Sequence, residues 1–244
     1  MRHVLLLSRR TVKEILRDPL NLCFGLGFPL VLLGLLTAIQ SSVPDELFPL
    51  PRLAPGITVF GLSFMSLFSA VLVAKDRSSA LLLRLYTTPL RPVDYILGYM
   101  LPMVPIALAQ TLVCYAFALV LGLAWTPNLL LCLLVSLPAA WVFIALGLLC
   151  GSLLTEKQVG GVCGALLTNL TGWLSGIWFD PAAVGGGFLF AAKLLPFWHA
   201  VALARAAYAG TLCEALSHLW VVLAWAVGLT ALAVAAFLGQ MRRN

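Results

Sequence analysis

Six long apolar runs, at about 20–39, 53–74, 95–123, 129–154, 159–178 and 218–239, constrain this chain more than any other feature. A backbone placed in hydrocarbon must satisfy its own hydrogen bonds, and roughly 20 apolar residues in helical form cross a bilayer core. The chain is 62% hydrophobic and 10% charged. A soluble domain carries about 25% charged residues, so one aqueous core cannot hide this much apolar surface. The runs predict an all-α membrane protein of six transmembrane helices, read as a single transmembrane domain over residues 1–244.

The segments between the runs carry the detail. Residues 3–18 read as an amphipathic helix, with Val4, Leu5, Leu7, Val12, Ile15 and Leu16 on one side. Arg9, Arg10, Lys13, Glu14 and Arg17 share the other side, with Leu6 the exception. That pattern suits a helix lying in the membrane interface, basic side toward anionic headgroups. Pro19 ends it. QSSVPDELFPLPR, at 40–52, is a loop. Pro102 and Pro105 predict a kinked or tilted third span. TPN at 126–128 and TEKQ at 155–158 are short turns. Residues 179–217 are apolar but interrupted by Lys193, Pro196, His199 and Arg205, which predicts a re-entrant or interfacial helical hairpin between spans five and six. The start does not read as a signal peptide, because its charged stretch and first apolar run are both too long.

Charge sets the expected orientation. Of the 15 Lys and Arg residues, only Arg52, Lys193 and Arg205 fall on one side of the six-span arrangement. The positive-inside rule then places both termini and the basic island at 75–94 in the cytoplasm. Basic residues that flank apolar runs form no aromatic-studded soluble surface, which argues against nucleic acid as a partner. The six cysteines form no C-x-x-C pair and mostly sit inside apolar runs, as small buried residues do.

The chemistry that is missing narrows the function. The spans contain no Asp, Glu, Lys or Arg, which argues against a relay-driven proton or ion transporter, although carbonyls could still hold sodium. There is no H-E-x-x-H metalloprotease pattern and no phosphate-binding G-x-x-x-x-G-K-[ST] loop. Polar residues within spans are mild: Ser63, Ser66 and Ser69, then Gln110, then Thr168, Asn169 and Thr171. They suit interhelical hydrogen bonding or a weakly polar route for an amphiphile. Gly147 with Gly151, and Gly160 with Gly164, predict close packing of spans four and five. In the island, Asp76, Ser78 or Ser79 can cap a helix running to about Tyr86, ended by Thr88-Pro89. Arg77 and Arg84 share one side of it, and Leu81, Leu82 and Leu85 the neighbouring side. A solvated stop-transfer linker does not need that leucine side, which suits a membrane surface or a partner.

RRTVKEILRDP at 9–19, APG at 54–56, KDRSSALLLRLYTTPLRPVDYILG at 75–98, LSGIWF at 174–179 and LPFWHAVALARAAYAG at 195–210 occur in this order. With six spans and a cytosolic N-terminus, this set resembles the ABC-2 family of ABC-transporter permeases, the class of daunorubicin-type and capsule- or nodulation-factor exporters. The resemblance implies a non-enzymatic half-size permease in a bacterial inner membrane, which homodimerises or pairs with a second permease. It implies export of a drug, lipid or lipid-linked glycan, driven by separate ATP-binding cassette subunits that carry the ATP and magnesium, with no cofactor in this chain. By the same resemblance Arg9, Arg10, Lys13, Asp76, Arg77, Leu81, Arg84, Leu85, Thr88 and Pro89 would contact the ATPase. Ser66, Asn169 and Thr171, with Gln110, would line the substrate route, spans two and five facing the dimer axis. The first outer loop is too short to hold an external domain that reaches an outer-membrane partner. The competing reading is an ATP-independent secondary transporter or lipid-facing assembly factor.

Overall fold

Helices form where the apolar runs lie. The computed structural model describes residues 2–43, 47–79 and 92–241, and no strand occurs among them. Helix α1 is Arg2–Leu16 and α2 is Pro19–Ser42. The second run forms two helices, α3 (Leu50–Leu62) and α4 (Phe64–Ser78), hinged at Ser63. Helices α5 (Pro92–Val120) and α6 (Asn128–Leu153) follow. Helical backbone then continues from Glu156 to Leu174 as α7 (Glu156–Val159), a π-helical segment (Gly160–Leu167) and α8 (Thr168–Leu174). Short α9 (Pro181–Val184) leads to α10 (Gly186–Leu194), α11 (Pro196–Ala209) and the long α12 (Leu212–Met241).

Five helical stretches are long and apolar enough to cross a membrane: Cys23–Ser42, Leu50–Ser78, Val93–Val120, Asn128–Leu153 and Leu212–Gln240. The pair α10–α11, bent by 80° at Leu195, makes a sixth if it counts as one span. The expected fifth span falls on the composite stretch from Glu156 to Leu174, which is not one of these candidates. Its π turns are wider than α turns, and the Thr168 hydroxyl bonds the Cys163 carbonyl five residues back, at 3.0 Å. The expected hairpin region holds the bent pair. Pro102 and Pro105 sit inside a helix that continues through both.

The second span is the centre of the bundle: 83% of its most apolar stretch is buried, against 22% for the first span. Its serines bond their own backbone, and Ser69 also donates to the Ile144 carbonyl of span four at 3.2 Å. Ser63 donates to the Phe60 carbonyl at 2.6 Å, Ser66 to Ser63 at 2.6 Å and Ser69 to Met65 at 2.8 Å. At the hinge the Ser63 amide bonds three residues back, to Phe60, so the hydroxyls add bonds where the ladder tightens.

The glycines pack differently from the sequence expectation. A Cβ on Gly147 would lie 2.2 Å from the Ser66 carbonyl oxygen, and one on Gly151 would lie 2.6 Å from that of Ala70. These glycines bring span four against span two, not span five. Gly160 has no neighbour within 4 Å of such a Cβ, and Gly164 meets Leu67 of span two at 3.5 Å. The reason is the central position of span two: both flanking helices approach its Ser66–Ala70 turn, and only glycine lets backbones come that close.

Candidate coupling site

Helix α1 positions one side of the site. Val4, Leu7, Thr11 and Ile15 are buried, three or four residues apart, which is one helix face. This stripe packs on α5. It is narrower than the hydrophobic side drawn from the sequence: Leu16 is 65% exposed and Val12 is also exposed. Thr11 occupies the stripe because its hydroxyl bonds the Leu7 carbonyl at 3.0 Å, which leaves only methyl surface to pack.

Burying that stripe turns Arg10 toward Asp76. The guanidinium donates to both carboxylate oxygens, Nη1 to Oδ2 at 2.9 Å and Nη2 to Oδ1 at 2.7 Å. Nη2 also bonds Glu14 Oε1 at 2.8 Å. Tyr99 of α5 donates its hydroxyl to Asp76 Oδ2 at 2.5 Å. Asp76 is 3% exposed, a position a lone carboxylate would not tolerate. A bidentate guanidinium and a phenol satisfy it, and the hydrogen bond to Asp76 raises the Arg10 pKa further above its ordinary value, against the effect of burial. The three groups tie α1, α4 and α5 into one junction.

Asp76 was expected as a helix cap on the island. It instead lies in the last turn of α4, because that helix continues through the first charges of the island to Ser78. Arg77, one residue on, donates to the backbone carbonyls of Ser152 and Leu154. These carbonyls lie at the C-terminal end of α6, where no intrahelical donor remains and a cation is favoured. Asp76 and Arg77 of the island therefore hold helices together within the chain. Leu81, Arg84, Leu85, Thr88 and Pro89 lie outside the described residues.

The surface left on α1 is basic and apolar. Arg9, Lys13 and Arg17 are exposed, interleaved with Leu6 and Leu16. Beside them Glu14, Ile15, Arg17, Phe68, Leu72 and Lys75 help line a cleft of about 280 Å³ between α1 and α4.

The four expected substrate-route residues do not share one surface. Ser66 is fully buried. Thr171 is fully buried too, its hydroxyl on the Leu167 carbonyl at 2.9 Å. Gln110 is buried between α3 and α5, its Nε2 3.3 Å from the Thr58 carbonyl and its Oε1 without a hydrogen-bond partner. Asn169 alone is exposed, and its Nδ2 bonds the Ala165 carbonyl at 2.8 Å.

At the far end of span two, Arg205 of α11 donates Nε to the Arg52 carbonyl at 3.1 Å and Nη2 to the Gly176 carbonyl at 3.0 Å. A cleft of about 370 Å³ opens there, lined by Arg52, Asp180, Trp198, Arg205, Glu214 and His218 among others. Sequence reasoning missed Tyr99 and this pairing of Arg205. The only available signal for Tyr99 was its position one turn after Tyr95, at the start of an apolar run. Among the described residues no group of three or more His, Cys, Asp or Glu is placed to hold a metal ion.

Residues 2–209 match the family model described as ABC-2 type transporter. No curated protein matches the sequence.

Proposed function

The chain belongs to the ABC-2 type transporter family, a multi-pass membrane component of an ABC-type transporter, and on that premise we propose that it is the permease of an exporter. The substrate is a hydrophobic or amphiphilic molecule moved out of the cytoplasm. ATP is hydrolysed by a separate ATP-binding subunit, and two permease domains assemble around the route. The chain is one transmembrane domain in a bacterial inner membrane, with α1 and the C-terminal end of α4 on the cytoplasmic side.

The Arg10–Asp76–Tyr99 junction is the observation that supports this reading most. A force applied to α1 reaches α4 and α5 through a bidentate ion pair and a short hydrogen bond, instead of being lost in a linker. The basic face of α1, with Arg9, Lys13 and Arg17, remains free on the other side for a partner or for anionic headgroups. The α1 helix lies in the interface plane in this reading, and the α10–α11 bend forms a re-entrant element on the outer side. The mild polarity of the bundle suits an apolar passenger.

The test is reconstitution in liposomes, with and without the ATP-binding subunit, using a fluorescent lipid and a hydrophobic dye as probes. ATP-dependent movement that needs both chains supports the reading. Movement by this chain alone, unchanged by ATP, replaces it with a secondary transporter.

A further inference from the structure

Two of the three histidines in the chain touch each other, and nothing in the transport reading uses them. His199, near the start of α11, and His218, in α12, have their Nδ1 atoms 3.1 Å apart. His199 Nε2 lies 2.8 Å from the Lys193 carbonyl, which can only accept, so Nε2 carries a proton. The neutral His199 ring then offers Nδ1 as an acceptor, and His218 supplies the Nδ1–H. One proton between two rings ties α11 to α12. Trp198 packs its ring edgewise against both imidazoles, with centroids 5.1 and 5.2 Å away.

A metal is not what this pair is built for. No third His, Cys, Asp or Glu completes a ligand set among the described residues. The Lys193 ammonium sits over the Trp198 ring, 5.7 Å from its centroid.

We propose that the His199–His218 pair is a proton-operated latch that holds the α10–α11 bend against the last span and releases it in acid. The neutral pair is closed. A first proton goes to His218 Nε2, one turn from Glu214 on the same helix, and the Nδ1–H bond to His199 becomes charge-assisted. A second proton can only go to His199 Nδ1. It removes the acceptor and places two cations about 3 Å apart. The latch therefore survives one protonation and opens at the second. The other charged groups facing the pair line the 370 Å³ cleft: Arg52 on α3, Asp180 before α9, and Arg205 on α11. Asp180 is used in capping, accepting from the Ala182 amide at 3.0 Å, and Glu214 Oε2 accepts from the Thr211 hydroxyl at 3.1 Å. Neither acid bridges the two imidazoles. Release would free α10 and the start of α11 to swing from α12 and widen the cleft. That acid arrives from outside the cell rests on the orientation proposed above; the latch itself does not.

Hydrogen exchange of the full chain in lipid nanodiscs tests this without substrate or ATPase, so its failure is distinct from failure of the transport reading. After correction for intrinsic exchange, opening of residues 186–199 should be about tenfold more frequent at pH 5.0 than at pH 7.5. His218→Gln gives neutral His199 an N–H donor and protonated His199 an amide oxygen acceptor, and should show no such pH dependence. No change in the unmodified chain, or the same change in both, overturns the latch. Should His218→Gln fail to fold, ¹⁵N-histidine NMR of the unmodified chain decides. Two well-separated protonation steps at His199 and His218 support it, and a single shared step overturns it.

Discussion

The two ends of the central span handle buried charge differently. At the α4 end, Arg10 meets a carboxylate: Asp76 is 3% exposed and takes both guanidinium nitrogens and the Tyr99 hydroxyl. At the α3 end, Arg205 meets backbone carbonyls of Arg52 and Gly176, while the nearby acids Asp180 and Glu214 are occupied by local caps. An ion pair between two helices joins side chains far apart in the chain and makes them move together. Arg205 on carbonyls ties the start of α3 to the turn at Gly176 without binding its position to a single partner charge. The first suits a junction that must transmit force, the second a mouth that must rearrange.

That contrast can be broken in order of effect. Asp76→Ala should be the most damaging change, since it leaves Arg10 partly buried with only Glu14; a loss of about 3 kcal/mol in denaturant unfolding is expected. A loss near zero would mean the junction is not a structural element. Arg205→Ala removes two charge-assisted bonds to carbonyls and should cost about 2 kcal/mol, with the exchange rise confined to residues around 52 and 176. If unfolding of the whole chain suffers as much as in Asp76→Ala, the two ends are not different in kind. Tyr99→Phe leaves Arg10 bound to both oxygens and should cost about 1 kcal/mol in the same assay. Arg9→Glu with Lys13→Glu should change stability by no more than about 0.5 kcal/mol, because both side chains are exposed, while reducing recovery of the ATP-binding subunit on purification.

What the sequence shows and hides follows from range. Apolar runs are local, and the helices lie close to where they were expected: the fourth run, drawn at 129–154, is Asn128–Leu153. The basic face of α1 was equally legible. Its buried stripe was legible at Val4, Leu7 and Ile15 but not at Thr11, which reads as polar until its hydroxyl is seen bonded to the Leu7 carbonyl. Asp76 illustrates the general difficulty. A charge between two apolar runs reads as a sign of water, yet its partner is 66 residues away, and no periodicity encodes that meeting. Arg77 likewise reads as a surface charge until the carbonyls of Ser152 and Leu154 are brought to it by the packing of α6 on α4. The glycine pairs were recognised as close-packing signals, but which helix they accept depends on the bundle order, which only the tertiary structure supplies.

The most direct measurement is ATP hydrolysis by the partner subunit in liposomes, alone and with this chain. The unmodified permease should stimulate hydrolysis. The Arg9→Glu, Lys13→Glu variant, folded and inserted to the same extent, should lose that stimulation. Full stimulation by the variant would contradict the α1 face as the contact through which the ATPase acts, and no stimulation by the unmodified chain would contradict the ATP-driven reading itself.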